Sequence, residues 1–167
     1  EKATGGRYFS ELCRLALKTA AEEGLFHGEE TAQKVKRIRK LDNAALDAFG
    51  LNPDLEPLPA FKDAEAYDQD AASHIVNAMF WRSSAFITCC CAAIARLTGL
   101  AQGDRYKPVI VCVDGSLFNK SMLLHHSVLV DMQDFTVQDL ALYAMCKGVE
   151  QATLIGTAAA ALLEQAV

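Results

Sequence analysis

The sequence predicts a helix-rich α/β fold, and three observations carry that expectation. The β-branched run Pro108 to Val113 stops sharply at Asp114-Gly115-Ser116, as a buried strand does. A long apolar segment with helical spacing, Asp63 to Gly99, lies before it, and an alanine-rich segment, Ala152 to Val167, closes the chain. With 167 residues, 51% of them apolar and 22% charged, the chain is one globular unit able to bury a core.

In chain order, Gly5 to Ala21 reads as a helix. Tyr8, Leu12, Leu15, Ala16 and Thr19 recur at helical spacing, and Gly24 is a stop signal. Phe26 to Ala48 is mixed and contains the basic run Lys34-Val35-Lys36-Arg37-Ile38-Arg39-Lys40. In an acidic chain this short run reads as a solvated face anchored by Val35 and Ile38 rather than as a phosphate patch. Gly50 to Ala60 holds three prolines and a glycine and is expected to be a loop or linker.

The segment Asp63 to Gly99 starts with Asp63, Glu65, Asp68 and Asp70, which suit the positive end of a helix. Its apolar face is expected to run through Ile75, Met79, Ser83, Phe86, Cys90 and Ile94. Arg82 and Arg96 argue against a membrane span, because a midplane charge costs about 2.5–3.5 kcal/mol. A helix so apolar all round is expected to be central and buried. Pro108 to Val113 is then a strand buried on both faces, as in a parallel sheet. Ser121 to Met132 is a helix, Gln138 to Cys146 a second strand, and Ala152 to Val167 a closing helix.

Sixteen basic and twenty-one acidic residues give a net charge of -5. That excludes a general nucleic-acid or anionic-membrane binder, whose affinity would come from clustered cations. Of six cysteines, three are consecutive, Cys89-Cys90-Cys91, and diverge by about 100° per residue on a helix, so they cannot gather around one metal. No Cys-x-x-Cys or zinc-finger spacing exists. Buried, reduced thiols in a cytoplasmic protein are the expectation. His125-His126 also diverge, and His27 and His74 are isolated, so no metal site or Ser/His/Asp arrangement is expected.

Two glycine-bearing turns stand where ligands bind. Gly5-Gly6 precedes a helix, where free backbone N–H groups attract phosphate, with Arg7 beside them. Asp114-Gly115-Ser116 follows the carboxyl end of a strand, the usual ligand edge of an open α/β sheet. Taken alone, each is also an ordinary connecting turn, and neither matches a P-loop or a Gly-x-Gly-x-x-Gly fingerprint.

Together these segments resemble the C-terminal part of hexokinases, in the family's order. Glu1-Lys2-Ala3-Thr4-Gly5-Gly6-Arg7-Tyr8-Phe9-Ser10-Glu11 is similar to the family's Glu-Lys-x-x-Gly-Gly/Arg-Lys/Arg-Tyr-x-Gly-Glu. Glu22-Glu23-Gly24-Leu25-Phe26-His27-Gly28 resembles Glu-x-Leu-Leu-Phe-x-Gly, and Arg82-Ser83-Ser84-Ala85 lies where the family's long helix has Arg-Ala-Ala. Val111-Cys112-Val113-Asp114-Gly115-Ser116-Leu117-Phe118 is similar to Val-Gly-Val-Asp-Gly-Ser-Leu/Val-Tyr. Gly156-Thr157-Ala158 resembles the Gly-Ala-Ala of the closing helix in bacterial members. The chain differs at Asn119-Lys120-Ser121-Met122, where the family has Lys-x-His-Pro, at Gly148 to Ala152, where it has a glycine-rich loop, and near Leu41 to Pro53, where its Thr-Gly-Asp loop is not evident.

The resemblance implies that residues 1–167 are a single fragment, the C-terminal part of the large lobe. The fold would be a partial actin-like (ribonuclease H-like) ATPase lobe with a long central helix and about two parallel strands. It implies phosphorylation of a hexose, glucose above all, at its 6-hydroxyl, with ATP and Mg²⁺. It places Glu1 at the hexose, and Gly5, Gly6 and Arg7 at ATP. It also places Gly115, Ser116, Leu117, Phe118, Asn119 and Lys120 along the nucleotide. The catalytic aspartate would precede Glu1, so the chain's partner would be the N-terminal part of the same protein. The open sheet edge left by its absence is a surface for self-association. Two other readings compete: a non-catalytic hexokinase-like sugar sensor, and an unrelated α/β interaction domain whose turns are only turns.

Overall fold

The computed structural model describes residues 5–164. Helix α1 (Gly6–Glu22) is followed by α2 (Glu29–Lys36), α3 (Asn43–Leu51) and the long α4 (Ala66–Thr98). Strand β1 (Val109–Val113), the short α5 (Ser116–Lys120) and α6 (Met122–Asp131) come next. A π-helical segment (Met132–Asp139) continues from α6 and leads into β2 (Ala144–Gly148) and α7 (Ala152–Glu164). The two strands are parallel, with Val109 opposite Ala144 and Val113 opposite Gly148. Their carboxyl ends therefore lie side by side.

The core is aromatic where α1, α3 and α4 meet. Phe9 and Phe80 stack at 4.5 Å between ring centroids, and Phe61 meets Phe49 at 5.8 Å and Phe26 at 5.4 Å. Phe61 and Leu58 lie in the proline-rich segment after α3, and both are fully buried. That segment is therefore pinned to the core and is no linker, and Gly50 and Leu51 belong to α3. The mixed region Phe26 to Ala48 resolves into α2 and the start of α3. The basic run splits between the last turn of α2 and the loop behind it.

Asp68 organises the start of α2. It is fully buried on α4 and accepts hydrogen bonds from the His27 and Gly28 N–H groups at 2.8 and 3.0 Å. A carboxylate on α4 thus fixes the backbone that leads into α2, whose N-cap Gly28 has no side chain to cap with. Gly28 suits the role because a Cβ there would lie 3.0 Å from the Asp68 Oδ2.

Helix α4 is central but not buried all round. By length and composition it could cross a membrane, yet its inner face is Ala72, Ser73, Val76, Phe80, Ser83, Ser84, Thr88, Cys91, Ala92 and Ala95. Of the expected face only Ser83 is fully inside, whereas Phe86, Cys90 and Ile94 are exposed. Small side chains let α6 approach α4 closely, and Ser84 Oγ donates to the Asp131 carboxylate at 2.5 Å. Hydropathy alone ranks the bulky outer residues higher and selects the wrong stripe. Trp81 and Leu97 are 71% and 87% exposed.

The strands also depart from expectation. β1 alternates in burial instead of being covered on both faces, with Ile110 46% exposed. Among the described residues the sheet has only these two strands. The expected strand Gln138 to Cys146 begins only at Ala144. Gln138 and Asp139 belong to the π-helical segment, which buries Met132 and Thr136 one wide turn apart, and Leu140 to Tyr143 form the turn that leads into the strand. The apolar residues Leu154, Ile155 and Leu162 of α7 are exposed, so this helix closes nothing within the described chain.

The thiols divide evenly. Cys13, Cys91 and Cys146 are buried, but Cys89, Cys90 and Cys112 are exposed, against the expectation that all six are core residues. Burial pushes the Cys13 thiol up to about 12. A raised folded value means that its contribution to stability is whole below about pH 9 and is lost as pH rises from there through 12. In the native protein at pH 8, a thiol reagent is expected to modify Cys89, Cys90 and Cys112 rapidly and Cys13 only on unfolding. Peptide mass spectrometry after a short iodoacetamide pulse checks this.

Candidate nucleotide site

Three glycine turns converge at the carboxyl end of the sheet. The first is Gly5-Gly6 at the start of α1. Gly5 is its N-cap in extended conformation and has no side chain to cap with, so the first N–H groups of the helix are left for another acceptor. The second is Gly115, whose φ of +151° is a conformation L side chains rarely adopt, and which opens α5 directly after β1. The third is Gly148, the last residue of β2.

The turns touch. A Cβ built on Gly6 would lie 3.1 Å from Leu117 Cβ and 3.8 Å from the Leu117 backbone nitrogen. Gly6 is therefore what allows α1 and α5, separated by more than a hundred residues of sequence, to begin in contact. Asn43 holds the junction: its Nδ2 donates to the Gly6 carbonyl at 2.8 Å. On the other side, a Cβ on Gly148 would collide with the Asn119 side chain and would lie 3.6 Å from Phe118 Cε1. The strand register that sets Val113 opposite Gly148 brings these two turns together.

Beside the Gly6–Leu117 contact lies a cavity of about 280 Å³. Asp42, Asn43, Asp47, Ser116, Lys120 and Ser121 are among its walls. Asp42 caps α3, accepting from the Ala44 and Ala45 N–H groups at 2.7 and 3.3 Å. Asp47 is buried and caps α6 from outside, accepting from Ser121 Oγ at 2.5 Å and from the Met122 and Leu123 N–H groups at 3.0 Å each. Both carboxylates are thus engaged with helix N-termini, which offsets their repulsion of an anion. Lys120 supplies a positive charge. The Asn43 Oδ1 is buried without a hydrogen-bond partner.

A match over nearly the whole chain accompanies this geometry. A family model described as hexokinase matches residues 1–163. The chain belongs to the hexokinase family. No curated protein matches it.

Within this hexokinase-family chain, the expected site residues fall into distinct groups. Gly5, Gly6, Gly115 and Ser116 stand at the converging turns, and Lys120 lines the cavity. Leu117 and Phe118 are buried core side chains, and Leu117 also lines the cavity. Asn119 packs on Gly148. Arg7 is exposed, its guanidinium 6.0 Å from the Tyr8 ring centroid, and it is not among the cavity's walls. Glu1 lies outside the described residues. Sequence reasoning missed Asp42, Asn43 and Asp47. The signal was present: Asp42-Asn43 directly before an apolar stretch marks a helix start. Among the described residues no three His, Cys, Asp or Glu side chains converge.

Proposed function

We propose that this chain is the nucleotide side of a hexokinase large lobe, which in the intact protein phosphorylates a hexose at its 6-hydroxyl using Mg-ATP. The observation that carries this reading is the meeting of Gly6 with Leu117 and of Gly148 with Asn119, at the carboxyl ends of two parallel strands. Unhindered backbone N–H groups at the start of α1 would donate hydrogen bonds to phosphate oxygens. Lys120 would add charge, and Asp42 and Asn43 would offer acceptors to hydroxyl groups of the nucleotide. The remainder of an actin-like lobe, with the sugar site and the catalytic aspartate, would come from the N-terminal part of the same protein. Its strands would cover the sheet edge and the outer face of α4. Glu1 would reach the hexose hydroxyls from this side.

The family assignment removes the reading of an unrelated α/β domain. The sugar-sensor reading makes a different prediction in the assay that tests the proposal. The intact protein, given glucose and Mg-ATP, is expected to form ADP in a glucose-dependent manner, while residues 1–167 alone form none. Glucose binding without turnover by the intact protein would favour the sensor, and turnover by the fragment alone would overturn the division of labour proposed here.

A further inference from the structure

Two thiols meet in the core behind the glycine turns. Cys91 projects from α4 and Cys146 from β2, with their Sγ atoms 3.9 Å apart across a separation of 55 residues. Both are buried. Among the described residues they are the one cysteine pair in hydrogen-bond contact. Either sulfur can donate in this contact, which draws the Cys91 thiol below its ordinary value and holds the Cys146 thiol above it. The attacking species in thiol chemistry is the thiolate, so Cys91 is the nucleophile of the pair and Cys146 the resolving thiol. An S–S bond is about 2.05 Å long, so the sulfur atoms need to close by roughly 2 Å.

We propose that Cys91 and Cys146 form a reversible intrachain disulfide when the protein meets a hydroperoxide. The Cys91 thiolate attacks one peroxide oxygen. The O–O bond breaks, the departing alkoxide (or hydroxide, from hydrogen peroxide) takes up the proton that Cys91 released and leaves as an alcohol (or water), and Cys91 becomes a sulfenic acid. The Cys146 sulfur then attacks the Cys91 sulfur. The S–S bond forms, the S–O bond breaks, and the hydroxyl departs with the Cys146 proton as water. The two thiols together lose two electrons, and the peroxide gains them. A dithiol reductant reverses the step. The bond ties α4 to β2 two residues before Gly148, whose backbone lies against Asn119. Oxidation therefore braces the carboxyl edge of the sheet.

The test treats the folded full chain with hydrogen peroxide, blocks remaining thiols with iodoacetamide and analyses proteolytic peptides by mass. A peptide pair joined through Cys91 and Cys146, lighter by two hydrogens and separated by dithiothreitol, is expected. The Cys89→Ser, Cys90→Ser, Cys112→Ser triple variant should retain it, and Cys91→Ser or Cys146→Ser should abolish it. The oxidised chain should also melt at a higher temperature than the reduced one, because the cross-link restricts the unfolded chain. Oxidation confined to Cys89, Cys90 and Cys112, with Cys91 and Cys146 recovered as free thiols, would overturn the proposal. In the triple variant, absence of the cross-link after peroxide treatment overturns the proposal equally, even if a serine at position 91 or 146 impairs folding.

Discussion

Replacing Asp47 with alanine is expected to destabilise the chain by about 3 kcal/mol, the largest effect of any single polar substitution near the cavity. Three donors converge on this one carboxylate: Ser121 Oγ, the Met122 N–H and the Leu123 N–H. Alanine leaves all of them without the acceptor, at the start of a helix whose next turns pack against α4. Each part-buried, unsatisfied donor costs about 1–3 kcal/mol, and partial access of water to the cavity lowers the sum. Ser121 Oγ also accepts from the Leu124 N–H at 3.0 Å, so the loss would loosen the cap inside α6 as well. Urea unfolding followed by circular dichroism measures the difference. Asp47→Asn keeps one oxygen acceptor and is expected to lose less than half as much.

The second large effect is on ligand binding. Gly6→Val is expected to raise the ATP requirement of the intact kinase roughly tenfold or more, with far less change in the hexose requirement. The valine Cβ would start 3.1 Å from Leu117 Cβ, and its two methyl groups would force α1 and α5 apart. The Asn43 hydrogen bond to the Gly6 carbonyl would be displaced along with the free N–H groups beside it. Gly6→Ala is the milder control: its Cβ sits at the tight end of contact, so the neighbour yields by a few tenths of an ångström. Steady-state kinetics with ATP and glucose varied separately distinguish a damaged nucleotide site from a damaged sugar site. Equal losses for both substrates would point to a general folding defect.

Much of this architecture was legible in the residues themselves. The β-branched run with a sharp stop located β1, and the two glycine turns marked the edge where they meet. Helix α1 stands where it was expected, but its buried stripe is Phe9, Cys13, Leu17 and Ala21, whereas Tyr8 and Leu15 of the expected stripe are exposed. Three things were not legible, each for a physical reason. The inner face of α4 is made of serine, threonine, alanine and cysteine, because a close helix–helix approach rewards small size, which a hydropathy stripe does not detect. The start of β2 was obscured because Met132 and Thr136 are buried by a π-helical turn, which shifts the helix end into residues that alternate weakly, like a strand. Asp47 was invisible because it caps a helix other than its own, and Asp68, read as a charge at the start of α4, also accepts from the backbone leading into α2. Such a partnership depends on tertiary contact over tens of residues, and no local pattern encodes it.

Several large apolar side chains of the described chain remain exposed. Trp81 and Leu97 on α4, Ile110 on β1 and Leu154 on α7 are large side chains left in water by the described chain. The outer edges of the two-stranded sheet are unpaired among the described residues, a feature native proteins usually cover.

The measurement that tests the central claim most directly is a titration of the isotopically labelled chain with Mg-ATP, followed by the backbone amide resonances. The convergence of the three glycine turns predicts that the largest shifts fall on Gly6, Arg7, Ser116 to Lys120 and Gly148, and that they weaken in Gly6→Val. Saturating shifts at another place on the chain, with these amides unmoved, would contradict it.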